Sequence, residues 1–424
     1  MTQKQALTIL QQGHNVFLTG AAGSGKTFLL DKFIKLISAT EKRIAVTATT
    51  GLAATHLRGR TIHSWAGIGI ADQLTRSQLN KIITSTKLQE NIRTTNILII
   101  DEISMLHDFR LDMIDQVCRE VRRNPKVFGG LQVVLSGDFF QLPPITKDAN
   151  LKLEKTSFIT NSEAWQAADF KICYLREQHR QTDDNQLTDI LNALRNNVLT
   201  NQHVDLLRNR ILPNPGNLTE LHCHNLDIDQ INKKRLAEIP HKEYQFAGEK
   251  LNPHRDKKLL DQLLRNCLAE ELLKLKQDAL VMFIKNDTQN QYINGSLGKI
   301  KGFHSRDGYP IIELNSGKTI FVDLATWSIT QDEVELVRFR QLPLKLAWAM
   351  TIHKSQGMTL DGAFIDLSKA FETGMGYVAL SRLKSLEGLY LKGFNETALQ
   401  INPEVLRIDQ YFQQASRRLE MQAF

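Results

Sequence analysis

Gly20-Ala21-Ala22-Gly23-Ser24-Gly25-Lys26-Thr27 follows the apolar run Asn15-Val16-Phe17-Leu18-Thr19 and precedes Phe28-Leu29-Leu30, after which Phe33, Ile34 and Ile37 recur at helical spacing. The glycines therefore fall at a strand-to-helix turn and fit the spacing of a phosphate-binding P-loop. Glycines let successive backbone N–H groups close round phosphate oxygens, and the helix N-terminus adds positive potential. Lys26 can reach the terminal phosphates and Thr27 can ligate Mg²⁺. A glycine-rich loop that merely turns the chain is the competing reading, and the strand and helix on either side disfavour it.

A second strand end points from binding towards hydrolysis. Ile97-Leu98-Ile99-Ile100 runs into Asp101-Glu102. A carboxylate emerging from a buried strand can hold a magnesium shell through water, and its neighbour can orient and deprotonate an attacking water. Capping of the following helix would account for either residue singly, but less well for the pair.

With 424 residues the chain has length for two to four domains. Its 42% hydrophobic and 23% charged residues are those of an ordinary globular protein, without a repeat, a low-complexity tract or an apolar span long enough for a bilayer. No membrane partner is expected. Met1-Thr2-Gln3-Lys4 leads into a helical pattern with no signal or transit segment, so the expected location is cytoplasmic. Cys118, Cys173, Cys223 and Cys267 are scattered and read as reduced, buried thiols. His222-Cys223-His224 could suggest a metal, but adjacent side chains on a strand point to opposite faces. The net charge of +7 favours a polyanionic partner without requiring one. Arg119, Arg122, Arg123 and Lys126, then Lys233-Lys234-Arg235, then Arg338, Arg340 and Lys345 form local basic clusters, each of which also suits a solvated surface.

Up to about Arg180, apolar strands alternate with helical stretches, and Ile44-Ala45-Val46, Ile97 to Ile100 and Gln132 to Leu135 each end in polar segments. This pattern predicts an α/β fold with a parallel sheet. Ligands of such sheets gather at the carboxyl ends of strands, so Gly20 to Thr27, Thr47 to Gly51, Asp101-Glu102 and Gly137-Asp138 should converge. A small insertion is expected over about 61–96. A second α/β block starts near Leu187, is interrupted by charged, poorly periodic sequence over 241–258, and resumes at Leu344. In between, Leu280 to Ile284, Gly298 to Phe303, Tyr309 to Leu314 and Thr319 to Val322 read as short strands of a small barrel. Asn402 to Arg418 reads as helix.

Further along come Ser136-Gly137-Asp138-Phe139-Phe140-Gln141-Leu142-Pro143-Pro144, Thr351-Ile352-His353-Lys354-Ser355-Gln356-Gly357-Met358-Thr359-Leu360-Asp361 and Tyr377-Val378-Ala379-Leu380-Ser381-Arg382. With the P-loop, Thr61 to Trp65, Asp101 to Met105 and Glu177 to Arg180, they resemble the ordered motifs of superfamily 1 helicases, most closely the petite-integration-frequency (Pif) DNA helicases of superfamily 1B. The stretch Asp108 to Gln132, closing with Phe128-Gly129-Gly130-Leu131-Gln132, matches that family's distinguishing segment. The likeness covers nearly the whole chain.

The resemblance implies two RecA-like P-loop domains, the first at 1–180 with its insertion and the second at 181–240 and 342–424. An inserted β-hairpin/SH3-like barrel domain would occupy 241–341. It implies an ATP- and Mg²⁺-dependent, DNA-stimulated ATPase, a monomer that translocates 5′ to 3′ on single-stranded DNA and unwinds forked or tailed duplexes, with G-quadruplex DNA as a further candidate. Roles in DNA replication, recombination, repair and telomere maintenance accompany the family. Lys26, Glu102, Gln141, Arg180 and Arg382 would be catalytic: Gln141 a γ-phosphate sensor, the two arginines stabilisers of transition-state charge. The nucleotide would lie on Gly20, Ala21, Ala22, Gly23, Ser24, Gly25, Lys26, Thr27 and Phe28, with adenine read by Gln3 or its neighbour Gln5, and magnesium on Thr27 and Asp101. DNA would contact Thr50, Gly51, His63 and Ser64, then Asn286, Asn294 and Gly295, then His353, Lys354, Ser355 and Gln356. Trp65 would stack on a base or be buried. Where the family usually has Gly-Gln, this chain has Gly374-Met375, which removes an amide. A RecD-like or relaxase-type motor of the same superfamily and a nucleotide-gated clamp on single-stranded nucleic acid are the alternatives.

Overall fold

The computed structural model describes residues 1–50, 53–54, 57, 59–69, 72–143, 158–180, 184–216, 218–251, 257–267, 269–285, 287, 291–292, 296–314, 317–331 and 334–423. Two compact units divide the chain: residues 1–214 with 359–424, and residues 215–358.

The first unit is built on a parallel sheet of β1 (Val16–Gly20), β2 (Ile44–Ala48), β3 (Arg60–Thr61), β4 (Ile97–Asp101), β5 (Gln132–Ser136) and β6 (Lys171–Leu175), in the order β3-β2-β4-β5-β1-β6. The strand that enters the P-loop is thus interior, with Leu18 beside Ser136 on one side and Gly20 beside Leu175 on the other. Layers on both faces explain why β1 and β4 read as unbroken apolar runs, since every residue of each is buried. Val16 and Leu18 pack in a core with Leu29, Leu30 and Phe33 of the following helix, α2 (Lys26–Ser38). Phe17 faces the other way, its ring centroid 5.1 Å from Trp165 and 4.9 Å from Phe412. Each such buried side chain contributes about 1.5–3 kcal/mol.

The expected insertion consists of short helices Ile62–Ala66, Arg76–Thr84 and Thr86–Thr94. Helix Asp108–Arg122 ends in a tight turn through the Phe-Gly-Gly stretch. Phe128 and Gly129 there have φ of 51° and 61°, and a Cβ on Gly129 would come 2.6 Å from the carbonyl oxygen of Cys118. Only glycine fits so close an approach in that conformation. Later in the same unit, strands Ala363–Leu367 and Leu389–Phe394 pair in parallel, helix Met375–Leu380 lies between them in sequence, and helix Pro403–Ala423 brings Phe412 to Phe17.

The second unit pairs Thr219–His222 with Ala349–Thr351 in parallel. Its core lies on a five-stranded antiparallel sheet in the order Thr319–Phe321, Pro310–Leu314, Leu297–Phe303, Leu280–Phe283, Leu344–Leu346, close to the strands expected for a small barrel. Two strands, Glu243–Ala247 and Glu249–Leu251, occupy the stretch read as poorly periodic. Glu243–Ala247 leaves Tyr244 and Phe246 half-buried, with Phe246 against the core, whereas every residue of Glu249–Leu251 is exposed. The four cysteines are free and buried, as expected. Among the described residues no cluster could hold a metal through three His, Cys, Asp or Glu side chains, and His222 is instead 3.1 Å from Glu220. No described helix is long and apolar enough to cross a membrane.

Candidate functional site

The first unit gathers the P-loop, the acidic pair, the Gly137-to-Gln141 turn and the segments bearing Arg180 and Arg382. Gly20 leaves β1 with φ 144°, and a Cβ there would lie 2.5 Å from the carbonyl oxygen of Leu175. Gly23 and Gly25 adopt φ of 85° and 84°, and Gly25 begins α2 in the left-handed conformation. Glycine is favoured at both by the backbone conformation, and at Gly23 also by space, since a Cβ would sit 2.6 Å from Arg180 Cβ; at Gly25 it would meet the Gln3 side-chain amide.

Lys26 donates to the carbonyls of Gly20 and Ala21 at 2.9 and 3.0 Å. Burial lowers its pKa, while Asp138 and Glu102 work in the opposite direction. The Ser24 hydroxyl and Gln141 Oε1 are buried without a hydrogen-bond partner among the described residues. Orphaned polar atoms beside a phosphate cradle fit a ligand that brings its own polar groups. Thr27 and Phe28 are exposed at the first turn of α2. Gln3 lies 3.3 Å from His179 as well as beside Gly25, whereas Gln5 is used in the capping box of helix Gln3–Gln11. The geometry thus sets Gln3, not Gln5, against the P-loop.

Asp101 is buried at the end of β4, where its Oδ1 accepts the Glu102 N–H at 2.9 Å. Burial first, and the Glu102 carboxylate next, push its pKa up to about 6. A buried anion raised in this way is relieved by a cation. Glu102 itself sits at φ 53°, a rare conformation for a residue with a side chain, and its carbonyl accepts the Thr49 hydroxyl at 2.9 Å. The end of β2 is tied to the acidic pair by this bond.

Arg180 donates through Nη1 to the Ser381 carbonyl at 2.7 Å. Arg382 is almost wholly buried, donating through Nε to the Val378 carbonyl at 2.9 Å and through Nη2 to the Ser381 hydroxyl at 2.7 Å. Burial pulls its pKa down to about 9, nearby Arg180 adds to the effect, and Glu102 opposes it. Half-buried Lys26 and Arg180 with buried Arg382 thus form a cationic field next to two carboxylates, suited to a polyanion such as a nucleotide triphosphate tail.

Sequence reasoning missed Arg195. It is buried, donates to both oxygens of Asp138 at 2.8 and 2.9 Å, and reaches the Tyr377 hydroxyl at 2.9 Å. Burial raises Asp138, but Arg195 and Lys26 outweigh it and hold the carboxyl below its usual range. A signal was available: Arg195 follows Leu187, Ile190, Leu191 and Leu194 on the buried face of its helix, where a charge needs a partner.

The residues expected at DNA fall in both units. Thr50 is half-buried, its hydroxyl accepting from the N–H of Ala53 at 3.2 Å, and Ser64 is exposed. His63 Nε2 lies 3.1 Å from Arg110 Nη1, and burial, then Arg110 and His107, lower its pKa to about 4. Trp65 is fully buried, which takes up the second of its two expected roles. In the second unit His353 and Lys354 are half-buried on helix Ile352–Ser355, while Ser355 is fully buried and donates to the Ile352 carbonyl at 2.8 Å. Gln356 is buried. Gly51, Asn286, Asn294 and Gly295 lie outside the described residues. Met375, in place of the family's usual glutamine, is a fully buried apolar residue.

A P-loop at the end of one interior parallel strand, with an acidic pair at the end of the next strand but one, defines a P-loop nucleoside-triphosphatase fold. A family model described as PIF1-like helicase matches residues 2–201. The ATP-dependent DNA helicase Pif1 of Psychrobacter sp. (strain PRwf-1) is 41% identical over 100% of this chain and 72% of its own length. The crystal structure of Pif1 helicase from Candida albicans has a TM-score of 0.88 at 34% identity, covering 96% of this chain and 98% of that one. Pif1 helicase from Bacteroides in complex with ADP-AlF3 and ssDNA has a TM-score of 0.77 at 31% identity, over 97% and 96% of the two chains. The chain belongs to the Pif1-like helicase family. It spans 62% of the length of the human relative.

Proposed function

We propose that this chain couples ATP hydrolysis to movement along single-stranded DNA, running 5′ to 3′ as a monomer and displacing the strand ahead of it. Forked or tailed duplexes are its substrates in this reading, and G-quadruplex DNA a further one. The domain assignment follows the family: motor domains at 1–180 and at 181–240 with 342–424, and an inserted barrel at 241–341. The observation that carries the reading is the meeting, within one compact unit, of the P-loop, Asp101-Glu102 and two arginines from distant segments, Arg180 and Arg382, braced through Ser381.

Each residue then has a task. The P-loop amides and Lys26 hold the β- and γ-phosphates, and Gln3 reads adenine from beside Gly25. Thr27 and Asp101 suit Mg²⁺, which would neutralise phosphate charge there. Glu102 orients the attacking water and takes its proton. Arg180 and Arg382 stabilise the charge that develops on the γ-phosphoryl oxygens, an effect worth about 10³ to 10⁵ in other NTPases. Gln141, whose Oε1 has no partner among the described residues, exchanges hydrogen bonds as the γ-phosphate leaves. Thr50, His63 and Ser64, with His353, Lys354 and Gln356, contact phosphate and sugar without reading bases. Ser355 supports that track by closing the turn under His353 and Lys354.

Strand displacement on duplexes carrying either a 5′ or a 3′ single-stranded tail tests the reading. Unwinding of the 5′-tailed substrate alone is the expected result. Nucleotide and DNA binding with neither DNA-stimulated ATP turnover nor displacement on either substrate would replace the motor with a nucleotide-gated clamp.

A further inference from the structure

The functional reading leaves Arg195 without a task, although the protein invests heavily in burying it. One guanidinium serves four side chains: Asp138 and Tyr377 through Nη1, and Tyr174 at 3.0 Å and Asp409 at 3.4 Å through Nη2. Its carbon lies 3.9 Å from the centroid of the Phe140 ring. The Tyr377 hydroxyl is equally committed. It accepts from Arg195 and from the P-loop N–H of Ala22 at 3.0 Å, and donates to Asp138 Oδ2 at 3.2 Å. A phenol has one donor and two acceptor positions, so all three are used.

These contacts join three parts of the site. Asp138 opens the turn that carries Gln141, whose N–H donates to the Asp138 carbonyl at 3.0 Å. Tyr377 stands on the helix Met375–Leu380 that leads directly into Arg382. Ala22 belongs to the phosphate loop. We propose that Arg195 and Tyr377 are positioning residues for ATP turnover, a buried latch that fixes the Gln141 turn and the Arg382 helix relative to the P-loop. The inference rests on the reading of the P-loop as the ATP site and adds to it the residues that hold its parts in register.

A buried ion pair with only a structural role is the competing account, and truncating either charge would unfold both kinds of protein alike. Tyr377→Phe separates them, because it keeps the ring and removes only the hydroxyl. Arg195→Lys is the second variant: it keeps a positive charge for Asp138 but lacks the planar fork needed to reach Tyr377 and Tyr174 together. For each variant, kcat and KM for ATP are measured with saturating oligothymidylate, nucleotide affinity with a fluorescent ATP analogue, and the thermal midpoint alongside. Tyr377→Phe is expected to stay folded and bind the analogue within about twofold of wild type. Its kcat should fall by about tenfold, the size of one lost bond made more effective in the transition state. Arg195→Lys should fall further in kcat with the same pattern. A Tyr377→Phe protein with wild-type kcat overturns the proposal, as does a loss confined to nucleotide affinity. Wild-type protein without DNA-stimulated turnover would instead overturn the function itself, so the two failures are distinguishable.

Discussion

Arg180 and Ser381, 201 residues apart in sequence, are joined by a 2.7 Å hydrogen bond from guanidinium to backbone carbonyl. Ser381 also accepts Arg382 Nη2 on its hydroxyl. One serine therefore braces two arginines, one through its backbone and one through its side chain. Like charges held this close repel, and the repulsion contributes to the lowered pKa of Arg382. A ligand with several negative charges relieves that strain, which is why this corner of the fold suits the end of a triphosphate.

Lys26→Ala and Glu102→Gln should both abolish unwinding while affecting ATP binding differently. In the proposed site Lys26 neutralises phosphate charge, so its loss should weaken ATP at least tenfold. Glu102 is there proposed to act on water, so its amide should bind ATP with near-normal affinity and hydrolyse it at least 10²-fold more slowly. Equilibrium binding and single-turnover hydrolysis separate the two. Normal DNA-stimulated hydrolysis by Glu102→Gln would remove that residue from the role of base.

Arg382→Met is expected to reduce kcat by about 10³-fold with little change in KM, because the charge acts mainly in the transition state. Its effect on folding should run the other way. Burial disfavours the charged guanidinium, so an apolar side chain of similar length should leave the thermal midpoint equal or higher. Steady-state kinetics and thermal denaturation of the same preparation test both halves. Unchanged turnover would disprove the catalytic assignment.

Gly376→Ala should be strongly destabilising. A Cβ there would lie 2.0 Å from the carbonyl oxygen of Ala398, and a backbone atom cannot swing aside as a side chain tip can. Overpacking of this kind costs about 1–3 kcal/mol. Gly302→Ala, where a Cβ meets nothing within 4 Å, is the control and should change stability by about 0.5 kcal/mol or less. Urea midpoints of the two variants give the comparison, and equal midpoints would refute the packing argument.

The legibility of this chain in its sequence followed burial. Strands β1, β4 and β5 stand out because parallel strands covered on both faces are nearly uniform in apolar character, and polar chemistry begins where each one ends. The antiparallel sheet around Leu280–Phe283 was readable from its turns. Glu243–Ala247 and Glu249–Leu251 were not: the first buries no residue fully and has too few half-buried positions to set a period, and the second is exposed throughout. The strands Ala325–Gln331 and Val334–Gln341 were not placed individually within the expected hairpin and barrel insertion; they pair antiparallel with a register shift between Ile329 and Thr330. At the site, motif spacing brought out the residues of the P-loop and the acidic pair. Arg195 lay outside any such spacing, and its partners Asp138, Tyr174, Tyr377 and Asp409 come from four places that only the fold brings together.

His63 and Lys354 should answer differently to pH and to salt. The His63 ring is held neutral near physiological pH, its pKa brought to about 4 by burial and then by Arg110 and His107. A folded-state value below the ordinary 6.5 means the unfolded chain binds the proton more readily. The stability contributed by the neutral ring is therefore present above about pH 6.5 and lost as pH falls towards 4. His63→Gln should flatten the fall in stability over that window, and should weaken DNA by a factor that stays constant between pH 6 and 8. Lys354 is different, because its contribution to DNA binding is a charge contact with phosphate; burial, then Lys345, lowers its pKa. Affinity for single strands should fall with salt by about 0.7 log units per log unit of salt for each phosphate neutralised. Lys354→Ala should reduce that slope by about one such step, and His63→Gln should leave it unchanged. Salt titrations on several unrelated oligonucleotides decide the matter: a strong base preference, or a slope indifferent to Lys354→Ala, would contradict a phosphate track at this lysine.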